Sequence, residues 1–257
     1  LGIPSLTHEQ TASLGLATRI NARFCDTVAL SFPNHATLKT RPSARVVVTG
    51  NPVRPWILNG DRHRFCSLFG IPPELPVVYV TGGAQGAHAL NTAIGGALPE
   101  LLKTTAIIHQ CGPQSGNGDF QRLLDLRQQL DAGLQDRYVP VERVGDELAH
   151  IYASATLVVG RAGAGTVAEL AAVGLPSILV PLPGADEQRR NAAVLESAGG
   201  AVVIDETDLT PRRLLEEVTR ITANPELRAQ MARAACSSRA EDPAGKLCDE
   251  LIRLARQ

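Results

Sequence analysis

A chain of 257 residues, 44% hydrophobic and 20% charged, has the composition of a globular protein with room for one large domain or two small ones. Its formal net charge of −1 gives no electrostatic argument for a nucleic-acid partner, and no apolar run approaches the ~20 residues of a bilayer-crossing helix. The five cysteines (Cys25, Cys66, Cys111, Cys236, Cys248) lie far apart with no C-x-x-C pair, which argues against zinc ligation and a small disulfide framework and suits a reducing compartment.

Residues 1–54 read as β/α: "IPSLTHE" (3–9) as a strand, "TASLGLATRINARF" (11–24) as a helix, then "TVALSF" (27–32) and "RVVVTGNPV" (45–53) as strands. The sequence opens inside a strand, so we expect the last part of a preceding α/β domain, N-terminally incomplete. Residues 1–60 hold six basic residues (Arg19, Arg23, Lys39, Arg41, Arg45, Arg54) against Glu9 and Asp26, a net +4 that leaves −5 for the remainder. Such a basic end suits an anionic membrane or a phosphate-bearing substrate; a solvated face is the plain alternative. Residues 55–76, rich in Pro and Gly, are the expected hinge.

From residue 77 the pattern becomes regular. "VVYVTG" (77–82), "AIIHQC" (106–111), "RYVPVERV" (137–144), "TLVVG" (156–160), "SILVPL" (177–182) and "AVVIDE" (201–206) read as buried strands rich in Val and Ile. "AHALNTAIGGALPELL" (87–102), "DFQRLLDLRQQLDAG" (119–133), "DELAHIYASA" (146–155), "GTVAELAAVG" (165–174) and "DEQRRNAAVLESAG" (186–199) read as the helices between them. Three more helices start at Thr210-Pro211, Asn224-Pro225 and Asp242-Pro243, each an N-cap residue before Pro at the first helical position. The alternation predicts an α/β fold with a doubly wound parallel sheet over 77–240. Residues 241–257 form a last helix able to pack back on the first domain.

Ligands of such sheets bind at the carboxyl ends of the strands, where four turns stand out. "TGGAQGAHALN" (81–91) places Gly82, Gly83 and Gly86 before a helix N-terminus, which suits a phosphate or a sugar. Its G-G-x-x-G spacing, and the lack of an acidic residue after "AIIHQCG", argue against a nicotinamide dinucleotide. "RVGD" (143–146) offers backbone groups to a base. In "GRAGAGTVAE" (160–169), Thr166-x-x-Glu169 fits a capping box; equally, the loop leaves N–H groups for a diphosphate and Glu169 for ribose hydroxyls. In "PLPGADEQRRNA" (181–192), Gln188 and Asn191 share a helix face and suit sugar hydroxyls, or form an exposed polar surface. There is no GxxxxGK[ST], G-x-S-x-G, HExxH or D-x-D pattern. A bound diphosphate would be met by helix N-termini and basic side chains.

"HEQT" (8–11), "GNPVR" (50–54), "TGGAQGAHALN" (81–91), "HQCG" (109–112) and "RAGAGTVAELAAVGLPSILVPLP…DEQRRNA" (161–192) occur in order at fitting intervals. Together they resemble glycosyltransferase family 28, in particular the bacterial enzymes that pass N-acetylglucosamine from UDP-GlcNAc to lipid I (undecaprenyl-pyrophosphoryl-MurNAc-pentapeptide), giving lipid II of peptidoglycan. The resemblance implies a GT-B architecture of two Rossmann-like domains, the first only partly present here. It also implies a peripheral place on the inner face of the cell membrane, with anionic lipid as a partner. Reaction with inversion, with no cofactor and no nucleotide-bound metal, is part of the same expectation.

The resemblance also assigns residues. Arg54 falls on a donor-contacting arginine, and Ala84 stands where the family has Ser. Val144 takes the place of an aliphatic residue whose backbone reads uracil. Ala164, Gly165, Thr166, Val167, Ala168 and Glu169 match the diphosphate and ribose segment. Gln188 matches a glutamine on the donor sugar, with Asn191 nearby, and Thr11 replaces an Asn. The family's Gly-rich loop with its His is expected before residue 1. Within the chain, Glu9 is the candidate catalytic base, since a hydroxyl must lose its proton in the transfer.

Overall fold

The computed structural model describes residues 3–33 and 38–256; Leu1, Gly2 and Gln257, at the ends of the first and last expected segments, lie outside it. Two parallel sheets make up the described chain. The first contains β1 (Leu6–Glu9), β2 (Thr27–Leu30) and β3 (Arg45–Val48), in that order, with α1 (Leu16–Asn21) as the β1–β2 connection. Only part of the expected helix 11–24 is helical, because Thr11–Gly15 wraps around the Glu9 carboxylate instead. That carboxylate accepts from the N–H groups of Thr11 (3.1 Å) and Gly15 (2.8 Å) and from the Thr11 hydroxyl (2.9 Å).

The second sheet holds β4 (Val77–Thr81), β5 (Ala106–Gln110), β6 (Tyr138–Val141), β7 (Ala155–Gly160), β8 (Ser177–Leu179) and β9 (Ala201–Val203). Their spatial order is β6-β5-β4-β7-β8-β9, all parallel, so the chain starts in the middle and winds out both ways. The alternation of side chains along β4 serves both faces. Val78 and Val80 enter one core with Leu90, Ile94 and Leu98 of α3 (His88–Leu101) and Leu214 and Val218 of α9 (Pro211–Thr222). Val77 and Tyr79 enter the other, with Ile151 and Tyr152 of α6 (Leu148–Ser154) and Leu170 of α7 (Ala164–Val173). A sheet covered on both faces explains the continuous Val/Ile runs.

The expected helix 119–133 is two pieces, α4 (Asp119–Gln128) and α5 (Ala132–Gln135); the chain turns between them, with Gln129 and Leu130 closing back on Leu126 and Arg127. Helices α8 (Asp186–Ala198) and α10 (Pro225–Ser237) complete the layer beside α7. Several strands are shorter than their apolar runs, because the chain leaves the sheet early to form the turns at the ligand edge. The three Pro-led helices begin as expected: Thr210, Asn224 and Asp242 accept from the N–H groups of Arg213, Leu227 and Gly245.

Residues 55–76 are built onto the second sheet. A 3-10 turn (Pro55–Leu58) and α2 (Arg62–Phe69) bury Ile57 and Phe65 in the second core. Gly60 packs so closely on α6 that a Cβ would lie 1.9 Å from the Ala149 carbonyl oxygen. The last helix, α11 (Pro243–Ala255), lies against the first sheet. Glu250 accepts from Arg45 of β3 (3.0 Å) and from Arg253 (2.9 Å), and Arg253 donates to the Thr27 hydroxyl of β2 (2.6 Å).

Candidate functional site

The order of the second sheet reverses between β4 and β7, and two glycine-rich turns leave these neighbouring strands at their carboxyl ends. Open α/β sheets bind ligands in such a crevice. The first turn needs its glycines. Gly86 has φ +76 and a Cβ there would sit 2.1 Å from the Cys111 carbonyl oxygen; on Gly82 it would sit 2.3 Å from the Ala87 nitrogen. Ala84, exposed at the tip, offers a methyl and its backbone. The turn is braced from below: Thr81 Oγ1 accepts from Gly83 N–H (3.1 Å), and Gln110 Nε2 donates to the Gly83 carbonyl (3.2 Å). Gln110 is itself held by the Tyr79 hydroxyl (2.7 Å). The N-cap residue of α3, Ala87, makes no side-chain capping bond.

A buried polar network stands behind this turn. Asp119, 2% exposed, accepts from Arg122 (2.7 Å), Asn91 (2.8 Å) and His88 (3.0 Å). Burial alone would raise its pKa, but these donors outweigh it and hold the carboxyl at about 2. Asn91 Oδ1 pairs with Nε2 of His109 (3.0 Å), whose Nδ1 meets the Tyr138 hydroxyl (2.9 Å). Burial pushes His109 down to about 3, so the ring is neutral and serves the network as one donor and one acceptor.

The second turn corrects the capping-box reading of Thr166 and Glu169. Helix α7 starts at Ala164 with Gly163 as an extended N-cap, so Thr166 is already the third helical residue, and Gly163 makes no side-chain capping bond. The N–H groups of a first helical turn have no intrahelical partner. Those of Ala164, Gly165 and Thr166 therefore point out of the helix end, at a position that favours negative charge. Val167 is 1% exposed and packs into the core, so it offers no side chain here; Ala168 is half-buried. Glu169 reaches sideways instead of back. Its Oε1 accepts from Arg54 (3.1 Å) and its Oε2 from the Tyr152 hydroxyl (3.0 Å). Arg54 also lies over the Trp56 ring, 4.7 Å from its centroid. Arg161 fastens the turn to the end of β8, donating to the carbonyls of Val180 (3.1 Å) and Pro181 (3.3 Å) and pairing with Glu206.

The other predicted residues divide. Val144 is half-buried against the second core, at the end of β6. Gln188, also half-buried, accepts from the Leu182 N–H (3.1 Å), which folds the 182–185 loop over the start of α8. Asn191, one turn along, is 1% exposed. Its Oδ1 accepts from Ala12 N–H (2.8 Å) and its Nδ2 donates to the Ala162 carbonyl (3.1 Å). Of the two amides expected on one helix face, one is a half-buried glutamine and the other a buried bridge between the two sheets. A cavity of about 570 Å³ is walled by residues that include Ser31, Asn51, Val167 and Ala168.

Glu9 is occupied by the loop that follows it. Burial would raise its pKa, but hydrogen bonds from Gly15, Thr18 and Thr11 bring it below the ordinary carboxylate value. A carboxylate so engaged organises the 11–15 loop, and Thr11 spends its hydroxyl on Glu9 and on the Ser13 carbonyl (2.6 Å). Tyr152, Arg161 and Gln110 were not singled out from the sequence. Nothing in "HIYASA" or "HQCG" marks a side chain as reaching a turn from a neighbouring strand or helix. Among the described residues, no group of three or more His, Cys, Asp or Glu side chains is placed to hold a metal ion, and no helix is long and apolar enough to cross a membrane.

The profile of the glycosyltransferase family 28 C-terminal domain matches residues 77–247. The chain is 38% identical over 241 residues to a UDP-N-acetylglucosamine–N-acetylmuramyl-(pentapeptide) pyrophosphoryl-undecaprenol N-acetylglucosamine transferase of a Nocardioides species, covering 92% of this chain and 62% of that protein. It is 38% identical over 263 residues to the protein of the same name in Rhodopseudomonas palustris, covering 99% of this chain and 68% of that one. The crystal structure of Acinetobacter baumannii MurG superposes with a TM-score of 0.75 at 28% identity, over 98% of this chain and 67% of that one. The fold is thus of the GT-B kind, as expected from the sequence.

Proposed function

The chain belongs to glycosyltransferase family 28, and from that premise we propose that it serves the transfer of N-acetylglucosamine from UDP-GlcNAc to lipid I. In this reaction the 4-hydroxyl oxygen of the muramoyl sugar bonds to C1 of N-acetylglucosamine. The bond from C1 to the diphosphate oxygen breaks, UDP leaves with that electron pair, and the hydroxyl proton passes to a base. The observation that carries the reading is the pair of uncapped helix ends, α3 and α7, on either side of the switch point. They set backbone N–H groups and two helix dipoles where charge grows on the departing diphosphate. Glu169 lies one turn further along α7, suited to ribose hydroxyls, and Arg54 adjoins it. Gln188 serves the sugar, the Val144 backbone the uracil, and Ala84 the phosphate side through its backbone. Asn191 acts one step removed, by fixing the 162 turn against the first sheet.

The acceptor carries a lipid, and the first sheet's helix supports an approach to a membrane surface. Leu16, Ile20 and Phe24, spaced four apart, are all exposed, and so are Arg19 and Arg23 beside them. Apolar side chains flanked by arginines suit an anionic lipid surface at the inner face of the membrane. The test of the reading is transfer of labelled GlcNAc from UDP-GlcNAc to a lipid I analogue by protein containing this chain, together with calorimetry of UDP-GlcNAc. Binding with formation of the disaccharide supports it; absence of UDP-GlcNAc binding overturns it.

A further inference from the structure

Glu169 is held from two sides of different character. Arg54, largely exposed, donates to Oε1 at 3.1 Å. Tyr152, 5% exposed, donates to Oε2 at 3.0 Å from inside the second core. Its ring stands edge-on to Tyr79, with centroids 6.0 Å apart, so packing sets where the hydroxyl lies. Burial pushes this phenol well above its ordinary pKa, which keeps it a donor. An ionised carboxylate offers about four lone-pair sites over its two oxygens. One bond to each oxygen leaves one site on each, side by side, which is the demand of two adjacent hydroxyls.

We propose that Tyr152 is a positioning residue that aims Glu169 at the vicinal diol of a ribose, so that the site selects a ribonucleotide over its deoxy form. The inference rests on the reading of Glu169 as the ribose-facing residue. Without the phenol hydroxyl, Glu169 keeps only Arg54, a largely exposed partner, and the carboxylate is free to turn toward it. A substrate hydrogen bond then pays for orientation that the buried phenol would have supplied.

The test is calorimetry with UDP and with 2′,3′-dideoxy-UDP on wild type, Tyr152→Phe and Glu169→Ala. Phenylalanine keeps the ring contact with Tyr79, so the comparison isolates the hydroxyl. Wild type is expected to prefer UDP by about tenfold or more, the worth of hydrogen bonds to a charged group. Glu169→Ala should erase that preference. Tyr152→Phe should cut it by at least about threefold while leaving the affinity for 2′,3′-dideoxy-UDP within about twofold, since that ligand never asks for the carboxylate. A Tyr152→Phe protein that keeps the wild-type preference, or weakens for both nucleotides alike, overturns the positioning role and leaves the donor site standing. A wild type that binds both nucleotides equally overturns the Glu169 assignment and this inference together.

Discussion

Two carboxylates order the residues around the site. Asp119 has a folded pKa of about 2 against an ordinary 3.8, and it is almost wholly buried. A depressed carboxylate pKa stabilises the fold above the unfolded value, and that contribution is lost as pH falls from about 3.8 through about 2. The difference is on the order of 2 kcal/mol. Asp119→Asn should therefore lower the unfolding free energy at neutral pH by about 1–3 kcal/mol, and the gap to wild type should close as pH approaches the acid range. Denaturant unfolding across pH measures it; a gap that stays constant contradicts the pairing of Asp119 with Arg122 and His88. Glu9 follows the same sign: its contribution is present above the ordinary 4.5 and fades below it, so Glu9→Gln should flatten the acid limb of stability. At this scale the sequence was readable where neighbouring residues mark a feature, as with the glycines of the 81–86 turn, two of which admit no Cβ. It was not readable where partners come from elements far apart. Asn191 meets Ala12 179 residues away, and Tyr152 meets Glu169 from another helix.

Helix starts were legible when a side chain marks them and illegible when none does. Thr210, Asn224 and Asp242, each followed by Pro, were placed to the residue. At the start of α7 the sequence allows either a Thr166–Glu169 capping box or a loop with open N–H groups, and the helix begins at Ala164 on a bare Gly163 cap. With no side-chain cap from Gly163, the first-turn N–H groups of α7 have no intrahelical partner. Gly165 is exposed, its backbone is ordinary, and a Cβ there meets nothing within 4 Å. Gly165→Asp should therefore stabilise the free protein by about 0.5–1 kcal/mol, through lower chain entropy and a carboxylate at the positive end of the helix. The same carboxylate repels a diphosphate, so UDP should bind about tenfold or more weakly. Thermal unfolding and UDP calorimetry on one variant read both signs; a variant that gains stability and keeps its UDP affinity contradicts an anion site at this helix end.

The molecule as a whole joins two parallel sheets through α11 and through the Asn191 bridge. The alternation of strands and helices from residue 77 to 206 made the larger sheet legible in advance, because buried parallel strands demand Val and Ile and their crossovers demand helices. The return of α11 to β2 and β3 was open in the sequence, since it depends on Arg45, Thr27, Glu250 and Arg253 meeting across 205 and 226 residues. Glu250→Ala should cost about 1–2 kcal/mol and raise proteolytic cleavage in the 238–242 connection, as α11 loses its hold on the first sheet. Unchanged cleavage contradicts a clasp at Glu250. In the proposed function the crevice between the β4 and β7 turns holds UDP-GlcNAc by backbone N–H groups, Arg54 and Glu169, without a metal ion. Calorimetry of UDP-GlcNAc in EDTA, on wild type and Glu169→Ala, tests it most directly. Wild-type affinity should be the same with and without EDTA, and Glu169→Ala should lose about tenfold or more. Wild-type binding that disappears in EDTA, or a Glu169→Ala protein that binds as wild type does, would contradict it.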